Sequence, residues 1–518
     1  KPAKTTLLFS VRRSYLQFLF ELIGLPIRPD YWDYQWKINH EIDPYNTLIF
    51  LGLGTVDDFS VKAPDEFDAA QQATIDQVPI IQQKTITVGL SWKRKYKNGN
   101  GNMITSVSTN RLQNIFSRYQ DNTQKTGTIF KNDSYEQETK IRYQTLHYLN
   151  KWKVVGGANF QYSDYANDTR SLLYNLDYKT GIDFIKYGFF AKGERKFFND
   201  DLGISFGFRF DADTFSQGSR LIDNFSPRLS LTYNLTEDQS WKINASVGRY
   251  LKMPTYTMLG FQNLNGNFVN KSAKYTQSDH AVMGLEYSPG NAARITLEGF
   301  YKKYSQYPIS LIDQVSLANK GGDFEVLGNE AITSNGSGKS YGMEVLYQQK
   351  LAKNFYGVFA YTYFHSQFTT SSGKYLPSVW DSRHLISFSG GYKLKRNWEI
   401  SARWRFSGQT PYVPVDLDAS LSAYPEIILD YNQLGNAKLD PFNLADIRFD
   451  KKWNFKRYSF NFYFEIQNFL AQAVPLPEEY GLNRTDNGEL IFPNALVRVD
   501  INENNNIPIP TFGLVFDF

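Results

Sequence analysis

Apolar and polar residues alternate along segment after segment of this chain. In YSFNFYFEIQNF, residues 458–469, Phe460, Phe462 and Phe464 share one face of an extended strand and Asn461 lies on the other. The same period of two recurs in about twenty segments of roughly 10 to 17 residues, long enough for tilted strands to cross a bilayer. One such strand suits a soluble sandwich, but many suit a barrel whose apolar face turns outward to lipid.

The composition agrees with membrane-spanning strands. Hydrophobic residues make up 42% and aromatic residues 16% of the 518 residues, yet the mean hydropathy is −0.45. Transmembrane strands give this mixture because half of their residues face water. The nearest candidate for a spanning helix, YLQFLFELIGLPI, is interrupted by Gln17 and Glu21 and falls short of the roughly 18 residues required. The sequence therefore excludes a helical membrane protein.

Charge and residue usage exclude several other classes. The net charge of +4 arises from 56 basic and 52 acidic residues, so no nucleic-acid partner is predicted. The absence of cysteine excludes disulfides and thiolate metal sites. The five histidines lack metal-ligand spacing, so neither a metal nor another cofactor is predicted. In WDSRH, residues 380–384, we expect Asp381 and Arg383 to pair in the lumen, because a catalytic triad is assembled from separated segments.

The connections between the alternating segments differ in length in a regular way. Short connections rich in turn formers lie near residues 43–46, 97–101, 150–151, 199–200, 288–291, 352–354 and 454–457. Long connections are expected at about residues 62–84, 119–133, 168–181, 253–274, 305–337, 409–441 and 470–508. A bacterial outer-membrane barrel has this alternation, with short periplasmic turns and long extracellular loops.

The last strand sets the direction of the predicted topology. In PTFGLVFDF, the residues Phe512, Leu514, Phe516 and Phe518 share one face. A final amphipathic strand that ends in an aromatic residue resembles the assembly signal of bacterial outer-membrane proteins. If this strand ends in the periplasm, counting backwards places every short turn there and every long loop outside the cell.

Four stretches resemble the barrel of TonB-dependent outer-membrane receptors, particularly those of Bacteroidetes-type bacteria. They are FSVRRSYLQFLFELIGLPIRPDYWDYQWKINHEID (residues 9–43), YLPSVWDSRHLISFSGGYKLKRNWEISARWRFSGQTPYVP (375–414), the strand pair at 446–469, and PIPTFGLVFDF at the end. The resemblance implies an all-β protein, a transmembrane antiparallel β-barrel, with residues 1–518 forming the barrel domain. It also implies a bacterial outer-membrane location in contact with lipid.

Members of this family resemble one another in having a barrel of about 22 strands plugged by an N-terminal domain. With about twenty strands counted and FSVRRSYL similar to the family's third strand, we expect the first hairpin, the plug and the TonB-binding segment to be missing from this chain. The partners implied are therefore its own N-terminal plug, TonB through the missing N-terminus, and other outer-membrane subunits or surface lipoproteins.

Two sets of side chains are candidate functional residues. Loop aromatic residues that follow strands are candidates for a ligand platform, although girdle or loop-packing roles are also expected for them; they are Tyr250, Tyr256, Phe261 and Tyr412. Charged residues on the polar faces of strands are candidates for lining the lumen or holding a plug; they are Arg209, Arg403, Arg405, Arg448 and Glu465.

The resemblance implies a receptor that imports a scarce nutrient, such as a siderophore, cobalamin, a glycan or a peptide, with no chemistry performed on it. The alternative is a non-transporting barrel that serves as a subunit of an outer-membrane assembly or secretion complex. An outer-membrane enzyme would need a compact Ser/His or acidic constellation at one rim, and the sequence offers none.

Overall fold

A computed structural model describes residues 4–14, 16–22, 25–64, 66–173, 175–216, 220–320, 326–499 and 506–518. The strands are β1 (Thr5–Arg13), β2 (Ile27–Asp43), β3 (Asn46–Val61), β4 (Ile80–Lys95), β5 (Gly101–Asp121), β6 (Thr126–Leu149), β7 (Trp152–Ser171), β8 (Leu176–Phe197), β9 (Leu202–Asp213), β10 (Phe225–Asn234), β11 (Trp241–Lys252), β12 (Thr276–Tyr287), β13 (Ala293–Ser310), β14 (Ile332–Ala352), β15 (Phe355–Thr369), β16 (Tyr375–Pro377), β17 (His384–Lys393), β18 (Trp398–Ser407), β19 (Pro411–Tyr412), β20 (Ala437–Lys438), β21 (Phe442–Asn454), β22 (Ser459–Gln467), β23 (Glu479–Leu482), β24 (Leu496–Val499) and β25 (Ile509–Asp517). The helices are α1 (Leu16–Leu22), α2 (Ala69–Gln77), α3 (Tyr256–Gly260) and α4 (Leu417–Ala423).

One antiparallel sheet of 21 strands contains all but four of these strands. Each long strand pairs with the next long strand along the chain, and the short β16 pairs only with the end of β15. The pairs β19–β20 and β23–β24 form separate two-stranded ribbons within long connections. The prediction of a large antiparallel all-β sheet of about twenty long strands is therefore confirmed.

The two faces of the sheet differ in composition, and the strand register carries this difference from strand to strand. In β7, Phe160 and Tyr162 are 44% and 43% exposed, whereas Gln161 and Ser163, which alternate with them, are buried. Phe160 lies opposite Ile141 of β6, so exposed apolar residues continue on the neighbouring strand. We call the face with Phe160 the outward face and the face with Ser163 the inward face.

Short turns close one end of the strand pairs. Asp43 stabilises the turn between β2 and β3, where its carboxylate accepts hydrogen bonds from the amides of Tyr45 at 2.7 Å and Asn46 at 2.9 Å. Asn150 and Asn354 adopt positive φ angles of 56° and 70° in two other turns. Asparagine tolerates this left-handed conformation better than most residues, which explains why these turns are rich in it.

The expected long connections at 119–133 and 168–181 are wrong. Strand β5 continues to Asp121 and β7 to Ser171, and only four residues separate each from the next strand. Polar residues such as Asp164, which lies directly opposite Asp183, occupy the outward face here. Beyond a bilayer both faces of a strand meet water, so the apolar alternation that marks a strand is no longer required.

The ends of the sheet are not joined in the described part of the chain. There, β1 pairs only with β2, and β25 pairs only with β22. Completion to about 22 strands, together with the missing hairpin and plug, stays a prediction. No helix among the described residues is long and apolar enough to span a membrane.

Candidate ligand-binding site

The long connections pack against one another on the inward side of the sheet. Five of them contribute to the contacts below and are together called the loop layer; they are the described residues of 62–79, 253–275, 311–331, 408–441 and 468–508. This layer has a core of its own, formed where residues 253–275 cover the inward face of β7 and β8. Its buried members are Tyr165, Ile182, Phe184, Met253, Tyr256, Leu259, Ala273 and Tyr275.

Tyr256 anchors α3 to the sheet. Its hydroxyl donates a hydrogen bond to Glu138 Oε1 at 2.5 Å and accepts one from Gln161 Nε2 at 3.0 Å. Burial and the Glu138 carboxylate raise the pKa of Tyr256, so its hydroxyl stays protonated and able to donate. Thr255 caps this short helix by accepting a hydrogen bond from the amide of Met258.

A buried cluster of one cation and two anions stabilises residues 311–331. Lys320 Nζ lies 2.5 Å from Asp313 Oδ2 and 2.6 Å from Glu330 Oε1, and the Lys320 and Glu330 side chains are 13% and 8% exposed. Burial of the ammonium opposes its charge, but the two carboxylates outweigh that effect and raise the pKa of Lys320. Ser310 also donates a hydrogen bond to Glu330. A buried cation paired in this way is held in its charged form.

Asn270 and Gly328 join this cluster to residues 253–275. The Asn270 side-chain amide donates to the carbonyl oxygens of Met258 at 2.9 Å and Glu330 at 2.7 Å. Gly328 has a φ of 98°, and a Cβ atom there would lie 2.7 Å from Met258 Cγ. Only glycine permits both this backbone conformation and this close approach.

Residues 408–441 are joined to 62–79 and to the end of β5 by charged and polar contacts. Arg118 forms an ion pair with Glu426, and its Nε donates to the carbonyl of Gln77 at 2.7 Å. The Tyr424 hydroxyl donates to Asp76 Oδ2 at 2.8 Å. Burial and Asp76 raise the pKa of Tyr424. These contacts hold two long connections together at the inward side of the sheet.

Residues 468–508 contact the same helix, α2. Gln77 Nε2 donates to the Tyr480 carbonyl at 2.6 Å, and Arg484 Nη2 lies 3.8 Å from Asp76 Oδ2. The Asp76 carboxylate is therefore contacted by side chains from two different long connections. Helix α2 begins with an aspartate cap, because Asp68 accepts a hydrogen bond from the amide of Gln71 at 2.7 Å.

A cavity of about 280 Å³ lies between these connections and the ends of β5 to β8. Its charged lining is formed by Arg118, Lys320, Asp313, Glu330 and Glu426, and its apolar lining includes Phe130, Phe261, Ile312, Leu327, Ile428 and Leu429. Small-molecule sites combine a mostly apolar wall with a few placed polar groups in volumes of roughly 300–1,000 Å³, and this cavity is just below that range. It is the candidate ligand-binding site.

The predicted platform residues occupy four different environments. Phe261 lines the cavity, while Tyr256 is buried in the core of the loop layer. Tyr250 lies on the inward face of β11, where its ring centre is 4.5 Å from that of His280. Tyr412 belongs to the ribbon strand β19 and is not among the residues that line the cavity. A ligand contact remains a prediction for all four residues.

The predicted inward charges are mostly engaged in short ion pairs along the wall. Arg209 lies 2.5 Å from Asp211 Oδ2, and Arg403 lies 2.6 Å from Asp446 Oδ2. Arg448 lies 2.7 Å from Asp450 Oδ2 and 3.9 Å from Glu465 Oε2. Arg405 has no ion pair within the described ranges. A role for these groups in a solute path or in holding a plug remains a prediction.

The final strand places its aromatic residues on the outward face. Phe512 and Leu514 are 76% and 65% exposed, and Phe516 and Phe518 are 56% and 99% exposed. Leu514 lies opposite Phe462 of β22, which continues the same apolar face. The role of these residues as an assembly signal remains a prediction. In the segment at 380–384, the expected ion pair is present, with Arg383 Nε 3.2 Å from Asp381 Oδ2.

Comparison with known proteins identifies the family and the solved structures that this chain resembles. Residues 27–469 match a family model described as TonB dependent receptor-like, beta-barrel. The ferripyoverdine receptor of Pseudomonas aeruginosa is similar, with a TM-score of 0.63 and 12% identity over 95% of this chain and 66% of that one. The ferric-catecholate import receptor Fiu of E. coli gives a TM-score of 0.64 and 10% identity over 99% of this chain and 77% of that one.

A third similar structure is the copper transporter OprC, with a TM-score of 0.65 and 13% identity over 95% of this chain and 72% of that one. Identities this low indicate a shared fold only. No curated protein matches the sequence of this chain.

Proposed function

This chain belongs to the TonB-dependent receptor-like β-barrel family, and from that premise we propose that it is an outer-membrane receptor of the Bacteroidetes type that imports a scarce nutrient. The solute is bound and moved without any chemical change. Two structurally similar proteins are named as an import receptor for ferric catecholate and as a copper transporter, which supports transport as the activity.

The cavity among the long connections is the observation that carries this proposal. Its apolar wall suits the body of a small solute, and its buried charged groups suit the few polar contacts that fix orientation. Phe261 contributes an aromatic surface, and Arg118 and Glu426 contribute opposite charges. We infer that a siderophore, cobalamin, a glycan fragment or a peptide makes its first specific contacts there.

The partners follow from the same proposal. An N-terminal plug inside the barrel and TonB in the periplasm supply the energised step, and surface lipoproteins contact the long connections. The plug or the passing solute contacts the inward charges Arg209, Arg403, Arg405, Arg448 and Glu465. The outward residues Phe512, Leu514, Phe516 and Phe518 serve as the assembly signal.

The test is an uptake assay in the native organism with the full-length gene deleted or carrying single variants. Labelled ferric siderophores, cobalamin, oligosaccharides and peptides are supplied as limiting nutrients. We expect deletion to abolish uptake of one of these classes and Phe261→Ala to reduce it about tenfold, which corresponds to about 1.4 kcal/mol of lost binding. Phe492→Ala is the matched control, because Phe492 is 75% exposed in a long connection and does not line the cavity.

Uptake that is unchanged by the deletion for all four classes would contradict import. Co-purification of the barrel with a fixed set of outer-membrane subunits, together with unchanged uptake, would favour the structural-subunit alternative. Equal loss of uptake in Phe261→Ala and Phe492→Ala would remove the cavity as the binding site while leaving transport itself intact.

A further inference from the structure

Two lysines lie side by side on the outward face of β13 and β14. Lys303 and Lys339 are direct cross-strand partners. Asp279 lies opposite Lys303 on the other side, but its carboxylate is already bound by Arg249, whose Nε is 2.7 Å away. Within the described part of the chain, neither lysine has a carboxylate at ion-pair distance.

Lys339 Nζ lies 4.7 Å from the ring centre of Tyr375, but this contact does not neutralise its charge. Like charges placed directly opposite each other destabilise a strand pair. Elsewhere on the outward face, Lys179 lies opposite Asp168, and their charged atoms are 2.8 Å apart. An anion bound from outside the chain would neutralise Lys303 and Lys339, as Asp168 neutralises Lys179.

A shallow, open groove lies along the outward face next to Lys339. Its side chains include Tyr301, Tyr341, Met343 and Tyr363, and Gly299 forms part of its floor. A Cβ atom at Gly299 would have no neighbour within 4 Å, so the space above it is open. Tyrosine rings and a methionine give the groove walls that suit a flexible apolar chain.

The lysines lie towards the long-loop ends of their strands, next to a row of aromatic residues. Tyr301 lies opposite Tyr341, with ring centres 6.4 Å apart, and Tyr341 lies opposite His365, with ring centres 5.1 Å apart. Such rows mark the level of the lipid headgroups in barrels. The groove therefore reaches into the acyl region while the lysines reach the phosphates.

We propose that this groove binds one molecule of a phosphorylated glycolipid from the outer leaflet of the membrane. An acyl chain occupies the groove between Tyr301, Met343 and Tyr363, and the phosphate binds Lys303 and Lys339. Charge selects the occupant, since two ammonium groups without a carboxylate at ion-pair distance attract an anionic headgroup more strongly than a zwitterionic one. The proposal rests on the outer-membrane location given under Proposed function and on no property of the transported solute.

The test is native mass spectrometry of the purified full-length barrel titrated with diphosphoryl lipid A, with phosphatidylcholine as the comparison lipid. We expect wild type to retain one lipid A molecule and the double variant Lys303→Gln/Lys339→Gln to bind it at least tenfold more weakly. Gly299→Leu should weaken retention with both lysines present, because its side chain enters the groove. Lys179→Gln is the matched control and should retain lipid A as wild type does.

Equal retention in wild type and in the double lysine variant would overturn the proposal. So would equal retention of phosphatidylcholine, or complete competition by inorganic phosphate, because either result would remove the specific lipid. Heat-modifiable migration on gels verifies that each variant is folded, and if Gly299→Leu does not fold, the lysine variant decides alone. The measurement contains no transported solute, so its failure and a failure of the import proposal are distinguishable.

Discussion

On the outward face of β22 and β25, Phe464 and Phe512 are 36% and 76% exposed, whereas in the loop layer the side chains of Lys320 and Glu330 are 13% and 8% exposed. The outward strands expose aromatic residues, and the loop layer buries charged ones. The difference agrees with the proposed outer-membrane location, in which lipid would cover the first region while the second forms a small polar core in water. The two regions should therefore respond in opposite ways to added and removed charge.

Removing the buried cation should have the largest effect. Lys320→Met leaves the buried carboxylate of Glu330, and the partly exposed one of Asp313, without their partner. We expect the free energy of opening residues 311–331 to fall by about 3–5 kcal/mol, the usual cost of leaving a buried charge uncompensated. Amide hydrogen exchange across this segment measures that free energy.

A matched lysine on the strand surface provides the control. Lys179 pairs with Asp168, but the two side chains are 79% and 44% exposed. Lys179→Met should therefore cost less than about 1 kcal/mol. Similar exchange rates in the Lys320 and Lys179 variants would show that the loop layer is not held by its buried ions.

Adding a charge to the outward face should have the next largest effect. Phe464 lies between Phe449 of β21 and Phe512 of β25. Phe464→Lys places an ammonium in this apolar row, and we expect a loss of about 2–4 kcal/mol in barrel stability. Resistance of the barrel to heat in detergent, followed by gel migration, measures the change.

Asn461→Lys is the inward counterpart. Asn461 donates a hydrogen bond to Asp450 at 3.0 Å, so a lysine there meets a carboxylate. Phe462 is a less sensitive position than Phe464, because its partner Lys451 already directs an ammonium over Trp398 at 5.3 Å. Equal tolerance of lysine at Phe464 and Asn461 would mean that the two faces are assigned incorrectly.

The smallest expected effect is a pH dependence of the contact between residues 408–441 and 62–79. The pKa of Tyr424 is raised by burial and by Asp76. Its contribution to stability is fully present below the unfolded value of about 10 and is lost as pH rises through the raised folded value. We expect a loss of roughly 1 kcal/mol of protection for residues 408–441 above about pH 10.

Tyr424→Phe removes the titrating hydroxyl while keeping the ring. In this variant, the hydrogen exchange of residues 408–441 should change much less between pH 9 and 11 than it does in the wild type. This window is centred on the ordinary tyrosine pKa of about 10. An unchanged pH profile in this variant would assign the effect to another group, such as Lys320.

The strands could be predicted from the sequence because lipid on one side and water on the other impose a period of two. This held for β22, whose outward residues Phe462 and Phe464 are exposed. It failed at residues 119–133 and 168–181, where the strands rise into water and Asp164 stands opposite Asp183 on the outward face. The apolar alternation ended before these strands did, as expected if the strands extend beyond the bilayer of the proposed location.

The cavity could not be predicted because its contacts join residues that are far apart in the chain. Arg118 and Glu426 are separated by 308 positions, and Tyr424 and Asp76 by 348. The spacing of residues within a short stretch of sequence gives no indication of such a pair. The prediction of a ligand platform from aromatic residues in the loops included one residue that lines the cavity, Phe261. It also included Tyr412, which lies in a separate ribbon.

Helix α2 has a consequence for how the protein moves. Asp76 on this helix is contacted both by Tyr424 from residues 408–441 and by Arg484 from residues 468–508. This carboxylate and the neighbouring Gln77, which donates to the Tyr480 carbonyl, thus couple two long segments that belong to different strand pairs. Under the proposed import function, movement of residues 408–441 or 468–508 away from α2 would break a contact with Asp76, so the opening of one connection would depend on the position of the other.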